Sequence, residues 1–457
     1  METIVVAEYG RRRVPGLEPS AADLAVAESE ELAGRITLRW LRNGDLEIEA
    51  GPHVGVVDLD CASIRVQPKL AGSELGVLEM IDYAAGLRSL RELPLLWRLG
   101  TGLNLRDLVC LLLTRECDRL LRHGLRRDYL RREDALPVVR GRLLVERQVT
   151  RRFGMLDRLE CRYDERSADI LDNRLCGAAL QFAARVAKDP DVRARARRLA
   201  ADFSGVCALD GFDVRSAVER LVYHRANEHY RNAHRWARML LEGSSFRDAG
   251  LNRTTHAFMV DMNKLFEDFV TRLLRDAFSG SGVSVQAQEN LAGAIRGEGG
   301  GSYTEIRPDV LLVQGRGTNA RRCSVDAKYK LYADKKVATS DLFQSFVYAQ
   351  AAGGSSPTGF IVYASERDVP SRTVRLHRGD GGVAARVTYV AVNVPQVLAS
   401  ITARDGLFAE LRDQIAARGN FADLGRAHGA AGGAVHMSLD VNPCVIGGCL
   451  SLSCGGD

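Results

Sequence analysis

The spacing of apolar residues changes twice along the 457-residue chain, and this change constrains the fold more than any other feature. Up to about residue 75, apolar and polar residues alternate, as in RITLRWLRNGDLEIEAG, and NG and GD turn signals separate the runs. Alternation with a period of two is typical of half-buried strands joined by tight turns. Residues 1–75 therefore predict a β-rich, antiparallel N-terminal module.

Between residues 76 and 250, apolar residues recur every three or four positions, as in LRDLVCLLLTRECDRLLRHGL and RANEHYRNAHRWARMLLEG. This spacing indicates amphipathic helices, so we expect a mainly helical region. The segment PVVRGRLLVERQV interrupts it and predicts a hairpin or an extended pair. Arginine is dense from Leu121 to Gly154. That density suits contacts with phosphate or with an acidic partner, and it equally suits a solvated helix face.

From residue 251 the pattern becomes mixed. A helical segment, FMVDMNKLFEDFVTRLLRDAF, precedes the strand-like runs VSVQAQENL, YTEIRPDVLLV and RCSVDAKYK, and a helix, DLFQSFVYAQAA, separates these from further strands. The order predicts an α/β domain over residues 251–418 with a central mixed sheet. Residues 419–457 are rich in Gly and Ala and predict a disordered tail. The chain as a whole is expected to be a multidomain α+β protein.

Composition excludes several classes of protein. The chain is 46% hydrophobic and 26% charged, which is typical of a globular protein rather than a disordered one. No apolar run is long enough to span a bilayer, and the apolar part of METIVVAEYGRRRVP is too short for a signal peptide. The ten cysteines show no paired spacing before the last residues, which indicates reduced thiols. We therefore expect a cytoplasmic protein.

Two acids and a lysine lie at the ends of two apolar runs. Asp309 precedes VLLV, and Asp326 and Lys328 lie in CSVDAKYK. Residues two apart in a strand point to the same side, so Asp326 and Lys328 share a face, and a hairpin would bring Asp309 beside Asp326. Two adjacent carboxylates repel each other unless a divalent cation lies between them, and oxygen ligands favour Mg²⁺ or Mn²⁺. The lysine is then placed to orient a water or to offset charge on a phosphoryl group.

Two flanking helices carry further candidates. In FMVDMNKLFEDFVTRLL, Glu267 lies at the edge of the apolar arc, whereas Asp268 points to solvent. Glu267 can therefore reach a site at the sheet edge, although a surface salt bridge is the alternative interpretation. In SDLFQSFVYAQ, Gln344 and Tyr348 are four residues apart and lie on one side of the helix. They either support the site or belong to an ordinary amphipathic helix.

The order PD, then DAK, then Q-x-x-x-Y, with an acidic helix upstream, resembles the PD-(D/E)xK nuclease superfamily in its RecB-like branch. More narrowly, MNKLFEDFV, RPDVLLV, VDAKYK and DLFQSFVYA together resemble the McrC family, the nuclease subunits of McrBC modification-dependent restriction systems. Four separate elements in the required order make the match specific over the predicted C-terminal domain. Over residues 1–245 the resemblance is weaker.

The resemblance implies a PD-(D/E)xK α/β nuclease domain with Mg²⁺-dependent endonuclease activity. It implies that Asp309, Asp326 and Glu267 bind the metal, that Lys328 is the catalytic lysine, and that the glutamine–tyrosine pair of the following helix supports the site. The implied partners are double-stranded DNA and a AAA+ GTPase or ATPase ring of the McrB type. The McrC subunit docks on that ring through its N-terminal region and stimulates its NTP hydrolysis. Consistent with this division, the chain has no G-x-x-x-x-G-K-[ST] motif, so no nucleotide is expected to bind to it.

Two other functions remain compatible with the residues. More than half of the chain lies outside the nuclease motifs, which fits a non-nucleolytic adaptor that binds and activates a AAA+ ring. A stand-alone repair nuclease is the third possibility, and it would cut DNA without any partner.

Overall fold

The computed structural model describes residues 2–421, apart from residues 31, 70–72, 87–89, 91–101, 210, 244–256, 318–319, 331, 333–336, 355, 404–406 and 420. The chain forms a mixed α/β protein with several sheets. The predicted tail begins at residue 419, but Phe421 is fully buried and packs edge-on against Phe278, with 6.3 Å between ring centroids. Residues 422–457 lie outside the described part of the chain.

Six strands and a short helix form the N-terminal part. They are β1 (Glu2–Ala7), β2 (Arg11–Val14), α1 (Ala21–Ala27), β3 (Ile36–Trp40), β4 (Leu46–Ala50), β5 (His53–Asp58) and β6 (Ala62–Gln67). β2, β4 and β3 form an antiparallel sheet, and alternate residues of β4 are buried, as the period of two predicts. β1 and β6, however, pair in parallel. The alternation predicts strands but not the direction of pairing between strands that are distant in the chain.

The middle region is mainly helical, as its apolar spacing predicts. Its elements are α2 (Glu74–Ala84), α3 (Leu105–His123), β7 (Asp128–Leu136), β8 (Arg142–Leu143), α4 (Val145–Arg151), β9 (Leu159–Ser167), α5 (Leu171–Val186), α6 (Pro190–Ser204), α7 (Val214–Arg220) and α8 (Arg231–Gly243). A single 3₁₀ turn, Glu228–Tyr230, precedes α8. Across the described residues, no helix has the length and apolar character needed to cross a bilayer.

Residues 128–167 form an antiparallel arm made of β7, β9, β8 and α4. β7 and β9 pair along their whole length, and β8 adds to β9 at Arg142 and Leu143. The extended pair predicted at residues 137–149 is present only in part: Arg142 and Leu143 form β8, whereas Val145–Val149 belong to the helix α4, against the prediction. The long strands were missed because their sequences, DYLRREDAL and LECRYDERS, are mostly polar and carry no alternating apolar signal.

Nine strands and four helices form the rest of the described chain. They are β10 (Ala257–Asp261), α9 (Met262–Ala277), β11 (Val283–Ala287), β12 (Ile295–Arg296), β13 (Ser302–Thr304), β14 (Val310–Gln314), β15 (Arg321–Lys328), α10 (Thr339–Ala352), β16 (Thr358–Ser365), β17 (Arg372–His377), β18 (Val383–Asn393), α11 (Val394–Ala403) and α12 (Leu407–Arg418). Six of these strands build a mixed sheet in the order β11-β14-β15-β16-β18-β17. β14 is antiparallel to β15, whereas β15, β16 and β18 run parallel.

Helices cover both faces of this mixed sheet. The apolar arc of α9 predicted from the sequence is buried in full and packs on one face in the largest core of the protein. On the other face, α10 packs through Phe346 against Ile361, Tyr363 and Val387. Because both faces are covered, β16 is buried along its whole length. In β14 and β15 the residues that are not buried lie near the strand ends, whereas the edge strand β17 is exposed along its whole length.

β10 ties the N-terminal sheet to the helix that follows it. It pairs antiparallel with β5, with Met259 opposite Gly55, and leads directly into α9, whose first N–H groups are capped by Asp261. Gly55 has a φ of +146°, and a Cβ there would lie 2.0 Å from the carbonyl oxygen of Phe258. Only glycine therefore permits this pairing.

We expect Gly55→Ala to lower the free energy of unfolding by on the order of 3 kcal/mol, because the new methyl group collides with the backbone of β10. Urea unfolding followed by circular dichroism measures the loss. Gly44→Ala is the matched control: its φ is +81° but nothing lies within 4 Å of its Cβ, so the cost should be only about 1 kcal/mol. Equal losses in the two variants would show that the contact with β10 is not what requires glycine at position 55.

Candidate active site

The two acids singled out in the sequence lie beside each other at one end of the β14–β15 hairpin. Val310 pairs with Val325, so Asp309, just before β14, lies opposite Asp326. Asp309 Oδ2 accepts a hydrogen bond of 2.8 Å from the backbone N–H of Ala327. The hairpin that the sequence analysis assumed is thus present, and it brings the carboxyl groups together.

The surroundings of these acids oppose two negative charges. Burial, together with the charges of Asp326 and Glu267, raises the pKa of Asp309 to about 7. Burial also raises the pKa of Asp326, although Lys328 acts in the opposite direction. Oδ2 of Asp326 is buried without a well-aligned hydrogen-bond donor in the described part of the chain, and its close cation is Lys328 Nζ at 2.9 Å. Paired carboxylates whose buried oxygens have few hydrogen-bond donors fit a divalent cation, whose charge would offset the repulsion.

Lys328 connects the acids to α10. Besides its ion pair with Asp326, its Nζ donates a hydrogen bond of 3.3 Å to Gln344 Oε1. Gln344 Nε2 in turn donates a hydrogen bond of 2.7 Å to the hydroxyl of Tyr348. Burial lowers the pKa of Lys328, but the carboxylates of Asp326 and Asp309 outweigh burial, so the net pKa is raised. The lysine is therefore held as a cation, and its direction is set from two sides.

A second polar cluster lies at the beginning of α10. Asp341 Oδ2 accepts hydrogen bonds from Lys330 Nζ, at 2.8 Å, and from the hydroxyl of Tyr332. Burial alone would raise the pKa of Asp341, but the bonds from Lys330 and Tyr332 outweigh it and lower the pKa. These bonds join the segment after β15 to the helix that carries Gln344.

Glu267 approaches the acids through Gln288, a residue that the sequence analysis missed. Gln288 Nε2 donates a short hydrogen bond to Glu267 Oε1 and lies 3.5 Å from Asp309 Oδ1. Its backbone N–H donates a hydrogen bond of 3.0 Å to the carbonyl oxygen of Asp309. Gln288 also has a φ of +51°, which is uncommon for a residue other than glycine and is found preferentially at functional sites. The available signal was the polar run QEN at the end of β11, at the same sheet edge as Asp309.

The three predicted metal ligands are therefore not equivalent. Asp309 and Asp326 are adjacent, whereas Glu267 is linked to Asp309 through Gln288. Within the described ranges, no group of three or more His, Cys, Asp or Glu side chains is arranged to hold an ion by itself. The donor set fits a cation such as Mg²⁺, which keeps several water ligands and needs only one or two carboxylates. The side chain of Glu267 is 17% exposed and that of Asp268 is 49% exposed, in the order that the helical arc predicted.

Comparison with known proteins gives one family and two similar structures. A family model described as McrBC 5-methylcytosine restriction system component matches residues 48–364. A similar chain occurs in the refined half-complex from the tetradecameric assembly of Thermococcus gammatolerans McrB AAA+ hexamers with bound McrC. It is 20% identical in sequence and superposes with a TM-score of 0.56, and the match covers 87% of this chain and 100% of that chain. The cryo-EM structure of the Thermococcus gammatolerans McrBC complex contains another, with 22% identity, a TM-score of 0.44, and 60% of this chain and 88% of that chain covered. No curated protein matches the chain. The first structural match shows a shared overall fold.

We expect Asp309→Asn to raise the free energy of unfolding of the metal-free protein at pH 8 by about 1–2 kcal/mol. At this pH, above the folded-state pKa of about 7, the carboxylate is charged and destabilises the fold; asparagine removes the charge and can still accept the bond from Ala327. Calorimetry in EDTA measures the change.

The same variant tests the metal site without any activity assay. Adding Mg²⁺ or Mn²⁺ at millimolar concentration should raise the melting temperature of the wild type by about 2 °C or more, because the ion binds only the folded protein. Asp309→Asn should lose this response, and the exposed-site control Asp268→Asn should keep it. An equal metal response in all three proteins would place the ion elsewhere.

Proposed function

Because the chain belongs to the McrBC 5-methylcytosine restriction system component family, we propose that it is the nuclease subunit of such a system. It hydrolyses phosphodiester bonds of double-stranded DNA with the help of a metal ion, in an assembly with a AAA+ NTPase ring of the McrB type. The observation that carries the proposal is the convergence of Asp309, Asp326 and Lys328 at one end of a buried hairpin. The C-terminal mixed sheet with helices on both faces is compatible with the PD-(D/E)xK domain implied by the motifs.

The residues of the site fit metal-assisted hydrolysis. Asp309 and Asp326 would hold Mg²⁺ or Mn²⁺, and Glu267 would act through Gln288 or a water. A bound ion supplies Lewis-acid polarisation of the phosphate and a water of lowered pKa. Lys328 Nζ offsets the negative charge that builds on the phosphate oxygens as the water attacks. Gln344 and Tyr348 keep the lysine directed at that position, because Gln344 accepts a hydrogen bond from Lys328 Nζ and Tyr348 accepts one from Gln344. Without Gln344, only the ion pair with Asp326 would orient the lysine.

We place the contact with the ring on the arm, residues 128–167. Of the nineteen large apolar side chains exposed in the described chain, eight lie in this arm, so the exposure is concentrated rather than scattered. They are Tyr129, Val138, Val139, Val145, Val149, Phe153, Met155 and Leu156. Exposed apolar clusters of this kind mark sites of protein interaction. The McrB AAA+ hexamers with bound McrC in the similar assembly identify the kind of partner that would cover it.

The charges of the arm favour a protein partner over DNA. Glu133 forms ion pairs with both Arg147, at 2.5 Å, and Arg162, at 2.6 Å. Glu160 pairs with Arg152 at 3.2 Å. Arginines that are already paired with carboxylates offer fewer donors to phosphate groups. Seven of the ten arginines between Leu121 and Gly154 form ion pairs with carboxylates in the described part of the chain. We therefore propose that the ring docks on the arm rather than on residues 1–75.

We expect Lys328→Ala to lower the rate of DNA cleavage in the presence of the ring, NTP and Mg²⁺ by about a hundredfold or more, because the phosphate charge is no longer offset. Cleavage of a modified duplex is followed on gels. The variant should still bind the ring and stimulate its NTP hydrolysis, since Lys328 lies outside the arm. Asp268→Asn should cut normally. Wild-type rates with Lys328→Ala would remove the lysine from the mechanism.

The same assay separates the two alternative functions. A stand-alone repair nuclease cuts when the ring is omitted, whereas the proposed subunit does not. A non-nucleolytic adaptor stimulates NTP hydrolysis by the ring but leaves the duplex intact even in its wild-type form.

We expect the double substitution Phe153→Asp, Leu156→Asp to abolish co-elution with the ring and stimulation of its NTP hydrolysis, because charges replace two of the most exposed apolar side chains of the arm. Size-exclusion chromatography and an NTPase assay measure both effects. Val222→Asp is the matched control, since Val222 is 71% exposed but lies outside the arm. Normal assembly by the double variant would move the docking surface elsewhere, towards residues 1–75.

A further inference from the structure

A buried hydrogen bond joins the N-terminal sheets to the strand that carries Lys328. Tyr329 is the next residue, is 2% exposed, and donates a hydrogen bond of 3.0 Å from its hydroxyl to Glu8 Oε1. Glu8 is 1% exposed, and the same oxygen accepts a bond of 2.6 Å from the backbone N–H of Lys69. A buried carboxylate is costly unless its contacts compensate, and at Oε1 the bonds from Tyr329 and Lys69 supply that compensation.

Tyr329 also contacts the helix that carries Glu267. Its ring packs against that of Phe266, with 5.7 Å between centroids, and Phe266 directly precedes Glu267 in α9. Successive residues of a strand point to opposite sides, so Lys328 faces α10 while Tyr329 faces α9. Tyr329 therefore directly follows the predicted catalytic lysine in the chain and packs on the helix that carries Glu267.

The turn that holds Glu8 is itself firmly placed. Tyr9 has a φ of +56°, in the left-handed region, and its backbone N–H donates a bond of 3.2 Å to the carbonyl oxygen of Gly51. Strained backbone of this kind persists only where the surrounding structure over-determines it. The position of Glu8 is therefore well defined, and its hydrogen bond with Tyr329 can hold the end of β15 in place.

The end of β15 needs such an attachment. The ladder with β16 ends at the pair Lys328 and Tyr363, so Lys328 has sheet hydrogen bonding on one side only. The two following residues are held on opposite faces, Tyr329 by Glu8 and Lys330 by Asp341. Without the first anchor, the backbone at Lys328 could tilt and carry its Nζ away from Asp326.

We propose that Glu8 is a positioning residue for the nuclease site: through the Tyr329 hydroxyl it fixes the end of β15 and hence the direction of Lys328. The N-terminal sheets are thereby part of the machinery that aligns the lysine with the two acids. This inference rests on the nuclease function proposed above.

The test uses the full chain assembled with the ring, NTP, Mg²⁺ and a modified duplex. Tyr329→Phe keeps the ring that packs on Phe266 and removes only the hydroxyl; Glu8→Ala removes the acceptor. Each should lower kcat for cleavage about tenfold and leave KM for the duplex and NTPase stimulation unchanged. Glu8→Gln should restore most of the rate, because its Oε1 can accept both hydrogen bonds. The double variant Glu8→Ala, Tyr329→Phe should be no slower than either single variant, as expected for one shared interaction.

Tyr83→Phe is the matched control. The Tyr83 hydroxyl also donates to an acid, Asp276 Oδ2 at 2.8 Å, and its ring also packs on α9, against Phe269. This variant loses a comparable bond that does not hold the end of β15, so it should melt lower without losing kcat. Equal falls in kcat for Tyr83→Phe and Tyr329→Phe would reduce the role of Glu8 to general stability and overturn the proposal.

Two further outcomes contradict the inference and remain distinguishable. If the wild type cuts and Tyr329→Phe and Glu8→Ala cut equally fast, Glu8 does not position the lysine, while the nuclease function stands. If the wild type itself does not cut in the complete assembly, the proposed function fails and this inference fails with it.

Discussion

Two carboxylates placed side by side at the end of a buried hairpin are the constraint on which the rest of this structure depends. Their register follows from the pairing of Val310 with Val325, and both valines lie in the main core. A slip of one residue would turn Asp326 and Lys328 towards α9 and bury their charges among apolar side chains. The same apolar packing that stabilises the hairpin therefore also aligns the charged groups.

The N-terminal and C-terminal parts are joined more closely than a division into domains suggests. β10 pairs with β5 and continues into α9, and the Glu8–Tyr329 bond reaches the end of β15. The largest core also combines residues of the middle helices with those of the mixed sheet. The parts of the protein thus share both main-chain bonds and packing.

Sequence patterns located the centre of the site better than its surroundings. Asp326 and Lys328 share a face because alternation along a strand requires it, and Gln344 bonds Tyr348 because residues four apart on a helix are neighbours. Gln288 was missed because it lies in a turn with a left-handed backbone, where no periodic signal exists. The arm was missed because strands that are exposed on most sides need no apolar alternation.

By itself the sequence determined the kinds and order of most elements outside the arm, and the pairs of side chains that lie two or four residues apart. Those relations follow from the local geometry of strands and helices, which depends on a few backbone angles. Only the tertiary structure decided that β1 runs parallel to β6, that β10 joins β5, and that Tyr329 meets Glu8, 321 residues away. Such contacts arise where distant segments bury their apolar surfaces together, and no local pattern records which segment will be the neighbour.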